Sequence, residues 1–267
     1  MPEKYAILSD LHMGREPWRA RAEMMRPLWQ GVDHLIINGD VAELYDPRYI
    51  DLAEQETLRL QELCEADGVT LTLLAGNHDP DVTDQHFLFM ADQKILITHG
   101  DSVHPAIAPW CATAPLMQAA FDKAMASFPV ETKDLLSSRL AATKTAARTK
   151  WEHVREGNFH MMGLKRMIRR PISFFEVLRY WHRFPDDAAG FMEKYAPQST
   201  VLITGHTHHK GIWTRRGKTI INTGGFAFPT TPRRVIVEGT KITVHEAIKN
   251  GEVYHAAAKP VAEIQVS

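Results

Sequence analysis

The sequence predicts an α/β fold with a mixed sheet, and two patterns along the chain indicate it. Short apolar runs at residues 5–8, 35–37 and 69–74 each end in a polar cluster, as buried strands do where they enter a loop. Helical patterns separate these runs, and alternation of strand with helix is typical of α/β proteins. Residues 87–90 and 95–98 flank a polar turn and predict an antiparallel hairpin, so the sheet is not wholly parallel.

The helical patterns of this first part cover residues 18–29 and 49–64. In the second, apolar residues recur at helical spacing, and the pattern ends before Gly68. The residues that share one face are Leu52, Ala53, Leu60, Leu63 and Cys64. The spacing therefore predicts an amphipathic helix.

Helical patterns replace the strand pattern between residues 102 and 198. Pro115 stands at a first helical position, and apolar residues follow at helical spacing as far as Pro129. A long helical pattern covers residues 131–156, and Pro171 opens another. The apolar residues on one face of this last pattern are Phe174, Leu178 and Trp181. We therefore predict a helical insertion over residues 102–198 within a single domain of residues 1–267.

Strand patterns return after the insertion, at residues 201–204, 211–214 and 218–222. A final hairpin is predicted to join residues 234–238 to residues 241–245. The strand pattern therefore resumes after the insertion.

Composition limits the class of protein. A hydrophobic content of 44% in 267 residues is sufficient for a substantial core. The formal charge of -1 gives no general indication of attraction to nucleic acid or membrane. Between Arg139 and Arg183, however, eleven Lys or Arg residues stand against three acidic ones. The excess of basic residues is therefore concentrated in this one segment of the chain.

Cysteine content and hydropathy indicate the compartment. Cys64 and Cys111 are too few for a disulfide framework or a thiolate zinc site, so any metal must be held by oxygen and imidazole. The first nine residues contain no stretch of signal-peptide type, and no run approaches the roughly 20 apolar residues of a membrane-spanning helix. We expect a cytoplasmic protein.

Polar side chains of metal-ligand type follow the predicted strands. Asp10 and His12 are two residues apart, so an extended chain would point both side chains to one side, where they can grip one ion. Other candidates lie at or just beyond strand ends, where ligands collect in open α/β sheets. They are Asp40, Asn77, His99, His206 and His208. We interpret His209, which follows the last of them, as incidental.

The ligand types indicate the class of metal. Imidazole suits zinc, iron or manganese, and carboxylate and amide oxygens suit the harder ions of that range. Calcium would require more oxygen ligands, and magnesium alone fewer histidines. The set therefore predicts a site for borderline divalent ions.

With these residues in place, the sequence resembles the calcineurin-like metallophosphoesterases. The signature blocks occur in family order as DLH at 10–12, GDVAE at 39–43, GNHD at 76–79, HGD at 99–101 and GHTH at 205–208. The resemblance covers residues 5–101 and about 200–225, where NTGG at 222–225 resembles a further family segment. It implies a ββ sandwich flanked by helices, with residues 102–198 as a helical cap.

The resemblance also implies a role for each ligand. One ion would be held by Asp10, His12 and His208. The other would be held by Asn77, His99 and His206, and Asp40 would bridge the two. Two divalent transition-metal ions are therefore implied, with Mn²⁺ expected first and iron or Zn²⁺ as alternatives.

Two cations about 3.5 to 4 Å apart activate a shared water and neutralise charge during in-line displacement at phosphorus. The resemblance places His78 against the substrate phosphate, outside the metal ligands. There it can donate a proton to the leaving oxygen or hydrogen-bond the phosphoryl group, and Asp79 can orient its ring. The expected substrate is therefore a phosphoester, and the sequence leaves open a monoester, a diester or a pyrophosphate.

Within the family, the size of the insertion resembles the UDP-2,3-diacylglucosamine diphosphatases of lipid A synthesis, whose helical cap covers acyl chains. His78 departs from that resemblance, since a major branch of those enzymes has Arg there. Apolar and basic residues alternate in the insertion, and the mixture suits a lipid phosphate or an anionic membrane surface. Its candidate substrate-binding residues are Arg166, Arg169 and Arg170.

These observations predict that the insertion selects an amphiphilic, nucleotide-linked lipid and contacts the inner membrane peripherally. Every predicted ligand lies outside it, so we expect selection rather than chemistry from it. The other interpretation is an ordinary helical subdomain whose apolar residues pack inward.

Two other functions compete with this one. The basic residues 139–183 can neutralise phosphates, which would make the enzyme a phosphodiesterase or nuclease acting on nucleotides or nucleic acid. A non-catalytic binding scaffold is the third reading, but such relatives lack several ligands and this chain lacks none. The sequence indicates no protein partner.

Overall fold

Two facing sheets form the centre of the molecule in the computed structural model, which describes residues 2–16, 20–156, 171–227 and 230–266. The first sheet has the strand order β11-β10-β9-β1-β2-β3, with β12 paired to β10. The second has the order β4-β5-β6-β8-β7. The predicted mixed α/β fold and the ββ sandwich are confirmed.

The first sheet is parallel on one side and antiparallel on the other. Its parallel strands are β1 (Lys4–Leu8), β2 (His34–Asn38) and β3 (Thr70–Leu74). Antiparallel to β1 runs β9 (Arg233–Glu238), followed by β10 (Lys241–Asn250), β11 (Val253–Ala256) and β12 (Ala262–Gln265). The predicted final hairpin is confirmed, but the continuation of β10 and the strands β11 and β12 were missed. Most residues of β11 and β12 are half-buried or exposed, so their apolar pattern is weak.

The second sheet begins with the predicted hairpin, β4 (Phe87–Met90) and β5 (Ile95–Thr98). After the insertion come β6 (Val201–Thr204), β7 (Gly211–Arg215) and β8 (Lys218–Asn222). β5, β6 and β8 are mutually parallel, so their carboxyl ends lie at one edge. These strands agree with the sequence prediction.

The main core lies between the sheets. It includes Ile7 and Ile36 of the first sheet and Ile97, Ile203 and Ile221 of the second, all at most 1% exposed. Burying such a side chain stabilises the fold by about 1.5 to 3 kcal/mol. This core fixes the distance between the two sheets and therefore the spacing of the loops at their edges.

Helices cover the outer face of the first sheet. They are α1 (Ala22–Met25), a 3-10 turn (Arg26–Trp29) and α2 (Ile50–Ala66). Four of the five residues predicted on one face of α2 are buried, but Leu52 is 39% exposed, which corrects that part of the pattern. The helical pattern predicted from residue 18 becomes a 3-10 turn at Arg26, because Pro27 has no N–H to donate. Trp18 itself lies outside the described residues.

The described residues of the insertion form three helices, α3 (Ala114–Ser127), α4 (Leu136–Arg155) and α5 (Pro171–Tyr195). α4 begins later than the predicted residue 131, since Thr132 and Lys133 donate to the carbonyl of Pro129 in a turn. The buried face of α5 carries Tyr180, Phe184, Ala188 and Met192, which pack on the second sheet. Leu178, predicted to share an apolar face with Trp181, is 40% exposed. Within the described ranges no helix is both long and apolar enough to cross a bilayer.

Candidate metal centre

The loops that follow the parallel strands of both sheets converge at one edge of the sandwich. Asn38, the last residue of β2, joins the sheets there, because its side-chain amide donates to the carbonyls of Thr98 (3.1 Å) and Ile203 (3.2 Å). The carbonyl of Asn38 accepts a hydrogen bond from Nδ1 of His99 at 2.9 Å. His99 is therefore held with Nε2 as its remaining ligand atom.

Asp10, His12 and His208 form one group. Oδ1 of Asp10 lies 3.2 Å from Nε2 of His208 and 4.0 Å from Nε2 of His12, and the two Nε2 atoms are 3.0 Å apart. All three ligand atoms lie within 4.8 Å of one another, so one ion can meet all three. The structure therefore brings together the residues that the resemblance assigns to the first ion.

The local backbone of this group differs from the sequence prediction. Asp10 and His12 have φ values of 53° and 48°, so the chain is left-handed rather than extended at both residues. Hydrogen bonds from their N–H groups to the carbonyls of Gly39 and Asp40 hold this course. The argument from strand alternation is thus wrong, and the side chains meet because the loop is fixed against the GDVAE block.

Left-handed backbone recurs through the candidate ligands. A non-glycine residue in this region is strained by about 1 to 3 kcal/mol, and such strain collects at functional sites. The candidate ligands with positive φ are Asp10, His12, Asp40, His206 and His208. The fold therefore holds these five residues in a strained backbone conformation, which sets the directions of their side chains.

Asp40 lies between the two proposed metal positions. Its Oδ2 atom is 3.7 Å from Nε2 of His12 and 3.3 Å from Nε2 of His99. The ring of His206 lies beside that of His99, with centroids 5.3 Å apart. Nε2 of His206 donates to the carbonyl of Ile107 at 3.0 Å, which leaves Nδ1 as its ligand atom. Asn77 is buried in the adjoining loop.

Two buried atoms of this group are suited to bind a cation. Among the described residues, Oδ1 of Asn77 and Nε2 of His99 have no hydrogen-bond partner, although the carboxylate of Asp40 lies close to His99. Buried polar atoms in folded proteins are almost always satisfied. An amide oxygen and an imidazole nitrogen are ligands that divalent transition metals accept. The residues present therefore fit a metal ion.

Close approach explains two glycines of the signature blocks. A Cβ at Gly76 would overlap Oδ1 of Asp40, and a Cβ at Gly205 would overlap Oδ2 of Asp10. The backbone at both positions lies directly against a candidate ligand carboxylate. Any side chain there would displace that carboxylate.

The electrostatic environment of Asp40 favours the ionised form of its carboxyl group. Burial opposes ionisation, but the positive charge that the His99 and His78 rings carry when protonated outweighs it and holds the pKa of Asp40 well below its usual range. Burial lowers the pKa of His206 to about 3, so its ring is neutral, as a metal ligand must be. The centre thus combines an ionised carboxylate with a neutral imidazole.

Glu43 has a role that the sequence did not predict. Its Oε1 atom accepts from Nδ1 of His12 at 2.9 Å, and its Oε2 atom accepts from Nδ1 of His78 at 2.7 Å. The side chain is almost wholly buried, so water does not compete for these bonds. A carboxylate behind a ligand histidine fixes the tautomer and the ring orientation. The residue stands at the end of the GDVAE block, and that position was its only sequence signal.

Asp79 forms no hydrogen bond with the ring of His78, which corrects the predicted orienting role. Its carboxylate accepts backbone N–H bonds from Asp40 (3.1 Å), Val41 (2.6 Å) and Gly76 (2.8 Å). Burial and the charge of Asp40 raise the pKa of Asp79 to about 7. Asp79 therefore ties two ligand loops together, and Glu43 occupies the position behind His78.

Further polar residues support Asp10 and the last ligand loop. The hydroxyl of Ser9 bonds the carboxylate of Asp10 and lies 2.5 Å from the hydroxyl of Thr223. The amide of Asn222 donates to the carbonyl of Gly205 at 2.6 Å. The NTGG segment thus holds the GHTH loop in place.

The predicted substrate-binding residues Arg166, Arg169 and Arg170 lie outside the described residues. In the helix α5 that follows these arginines in the chain, Phe175 is 66% exposed and Tyr180 is buried. His209, interpreted from sequence as incidental, is stacked between Trp181 and Trp213, with ring centroids 4.7 and 5.8 Å away. His209 therefore packs the loop that carries His208.

Comparison with known proteins shows the family to which the chain belongs. The family model of calcineurin-like phosphoesterases matches residues 3–210. A predicted phosphoesterase from Streptococcus pneumoniae is 13% identical, with a TM-score of 0.43, over 99% of this chain and 98% of that chain. Yfce, a phosphoesterase from E. coli, is 14% identical, with a TM-score of 0.45, over 99% and 100%.

A Vps29 single mutant from Entamoeba histolytica is 11% identical, with a TM-score of 0.48, over 99% of each chain. A search among curated proteins gave no match. The family match covers most of the chain and includes all five signature blocks. The chain therefore belongs to the calcineurin-like phosphoesterase family and is a metal-dependent hydrolase of phosphoesters.

Proposed function

We propose that the centre holds two divalent transition-metal ions, with Mn²⁺ the first choice. Asp10, His12 and His208 would hold one ion, and Asn77, His99 and His206 the other. Asp40 would bind both. The observation that carries this proposal is the position of Asp40 Oδ2, between Nε2 of His12 and Nε2 of His99. The unsatisfied atoms of Asn77 and His99 support it.

When bound, such a pair of ions activates a water and neutralises the charge that develops on the phosphoryl group. We place His78 beside this pair of ions, where its side chain acts on the substrate. Because Nδ1 of His78 is bonded to Glu43, Nε2 is the atom that meets the phosphoryl group or the leaving oxygen. The side chain of His78 is 12% exposed, whereas that of Glu43 is 2% exposed. His78 is therefore reached from the solvent side, and Glu43 supports it from within.

The proposed substrate is a nucleotide-linked diacyl lipid, and the proposed reaction is cleavage of its pyrophosphate, as in UDP-2,3-diacylglucosamine. A groove of about 260 Å³ lies beside the GHTH loop, lined by Leu178, Trp181, His182 and Trp213 among others. Leu178 and the neighbouring Phe175 of α5 are exposed. The lining also includes His209 and Arg215, so the groove combines apolar and polar groups, which suits a substrate with an acyl chain attached to a phosphate.

A nuclease or nucleotide phosphodiesterase is the alternative, and it depends on the basic residues 139–183. Several of these cations are already engaged within the protein. Arg139 donates to the carbonyls of Ser102 and Val103, and Arg148 pairs with Asp81. Engaged cations attract a phosphate backbone less, so the described part of the segment gives the nuclease alternative less support.

Three substrates compared on the Mn²⁺-loaded protein test this proposal. They are UDP-2,3-diacylglucosamine, bis(p-nitrophenyl) phosphate and a single-stranded oligonucleotide. We expect kcat/KM to be highest for the lipid. Turnover of the oligonucleotide with a steep dependence on salt, and none of the lipid, would establish the nuclease instead.

A further inference from the structure

Two tryptophans of the insertion donate their indole N–H groups to loops that carry candidate metal ligands. Trp151 lies on α4 and Trp181 on α5. The acceptor of the first is the carbonyl of Asn77, at 2.7 Å, and that of the second is the carbonyl of Thr207, at 3.0 Å. Both acceptors are backbone atoms of a loop rather than of a strand or helix.

Trp151 fixes the loop of the GNHD block. Its side chain is 1% exposed, so the hydrogen bond to Asn77 forms away from water. The carbonyl of Asn77 belongs to the peptide that joins Asn77 to His78. Holding it sets the directions of both side chains. The edge of the Trp151 ring also meets the ring of His78, with centroids 5.3 Å apart, on a histidine already bonded to Glu43.

Trp181, which is half-buried, donates in turn to the loop of the GHTH block. Thr207 stands between the candidate ligands His206 and His208. Its carbonyl belongs to the peptide that joins it to His208. The Trp181 ring stacks on His209 at 4.7 Å with an interplanar angle of 13°. α5 thus adds one hydrogen bond and one stacked ring to the bond from Asn222 that already holds this loop.

A comparison with Trp29 separates this arrangement from ordinary core packing. Trp29 is wholly buried beside α1, and its indole N–H donates to the carboxylate of Asp67 at 2.9 Å. Asp67 follows α2 and is not part of the candidate centre. A buried indole N–H therefore needs an acceptor in any core, but only Trp151 and Trp181, among these three, take one from a ligand loop.

We propose that Trp151 and Trp181 are positioning residues of the metal centre, so that the insertion helps to build the site that its helices cover. This inference rests on the proposed ligand set. Removing either N–H frees a backbone carbonyl next to a ligand, and the loop then samples orientations in which the ligand atoms no longer converge. Partners of this indirect kind are typically worth about 10- to 100-fold in metal affinity or activity.

The test compares Trp151→Phe and Trp181→Phe with the matched control Trp29→Phe, each in the full chain after removal of metal. Calorimetric titration with Mn²⁺ gives the dissociation constants, and thermal unfolding of the metal-free proteins gives stability. We expect about 10- to 100-fold weaker Mn²⁺ binding in the first two variants. Trp29→Phe should lose stability but bind Mn²⁺ as the wild type does.

Benzothienylalanine at position 151 keeps the ring shape and lacks the N–H, so it serves as a second variant if Trp151→Phe does not fold. Weaker Mn²⁺ binding by this variant supports the proposal. Wild-type affinity in the position 151 and 181 variants overturns it and leaves the ligand set intact. A wild-type protein that binds no Mn²⁺ overturns the ligand set, and the positioning role with it.

Discussion

The Oε2 atom of Glu43 lies 2.7 Å from Nδ1 of His78, and the other carboxylate oxygen of Glu43 serves His12. One buried carboxylate thus supports a candidate metal ligand and the candidate catalytic histidine. Glu43→Gln keeps the size of the side chain but offers one acceptor and one NH₂ group, so one imidazole must lose its partner or change tautomer.

We expect Glu43→Gln to lower kcat on bis(p-nitrophenyl) phosphate by about 10- to 100-fold, the usual effect of losing such a partner. Steady-state kinetics with saturating Mn²⁺ measure it. Glu56→Gln is the control, because Glu56 accepts from the N–H of Ala22 away from the centre. Unchanged kcat in Glu43→Gln would show that the two hydrogen bonds do not position the rings.

His78→Ala should separate catalysis from metal binding. Since His78 is placed outside the metal ligands, the variant should keep its metal while kcat falls by about 10²- to 10⁴-fold, the range typical of acid-base groups. Asn77→Ala should instead weaken one metal site. Metal content by elemental analysis and kcat are compared in the two variants. If His78→Ala loses metal as fully as a ligand variant does, the assignment of His78 is wrong.

Asp79→Ala should act on stability. The substitution leaves three buried N–H groups without their acceptor, and each costs about 1 to 3 kcal/mol, so we expect the free energy of unfolding to fall by about 3 kcal/mol or more. Urea unfolding of the metal-free protein measures it. A variant with wild-type stability and no activity would return Asp79 to the catalytic role that the sequence predicted.

The loops could be predicted from sequence because each ligand block directly follows an apolar strand, and the core between the sheets brings the strand ends together. The hydrogen-bond partners of the residues within the centre could not be predicted from sequence. Both Glu43 and Asp79 belong to signature blocks, but which carboxylate faces His78 depends on the left-handed turns at Asp10, His12 and Asp40. Such turns are set by tertiary hydrogen bonds and leave no periodic pattern.

The insertion shows the same limit of prediction from sequence. Its helical character was predicted from proline positions and apolar spacing, and Pro171 does begin α5. The expectation that it selects substrate rather than performing chemistry rested on the absence of ligands from it and stays a prediction. The hydrogen bonds from Trp151 and Trp181 could not be predicted in this way, because their acceptors are backbone carbonyls that carry no side-chain signature in the sequence.

Phe175 and the three arginines test the lipid substrate. Phe175→Ser removes an exposed aromatic ring three residues before Leu178, which lines the groove, and should lower kcat/KM for the diacyl lipid more than for the small diester. Replacing Arg166, Arg169 and Arg170 by Ser should weaken binding to anionic vesicles by about 1 kcal/mol per charge. Co-sedimentation and the ratio of the two kcat/KM values are measured. Equal losses on both substrates would leave the insertion without a role in selection.

Metal content and activity of Asp40→Ala test the central claim most directly. Its carboxylate lies between the two proposed metal positions, so its loss should empty both. We expect the wild-type protein, purified without chelator, to carry up to two transition-metal ions per chain by elemental analysis. Asp40→Ala should carry none and should not hydrolyse bis(p-nitrophenyl) phosphate, although it remains folded by circular dichroism. A folded, metal-free wild-type protein that hydrolyses phosphoesters equally well with and without EDTA would contradict the account.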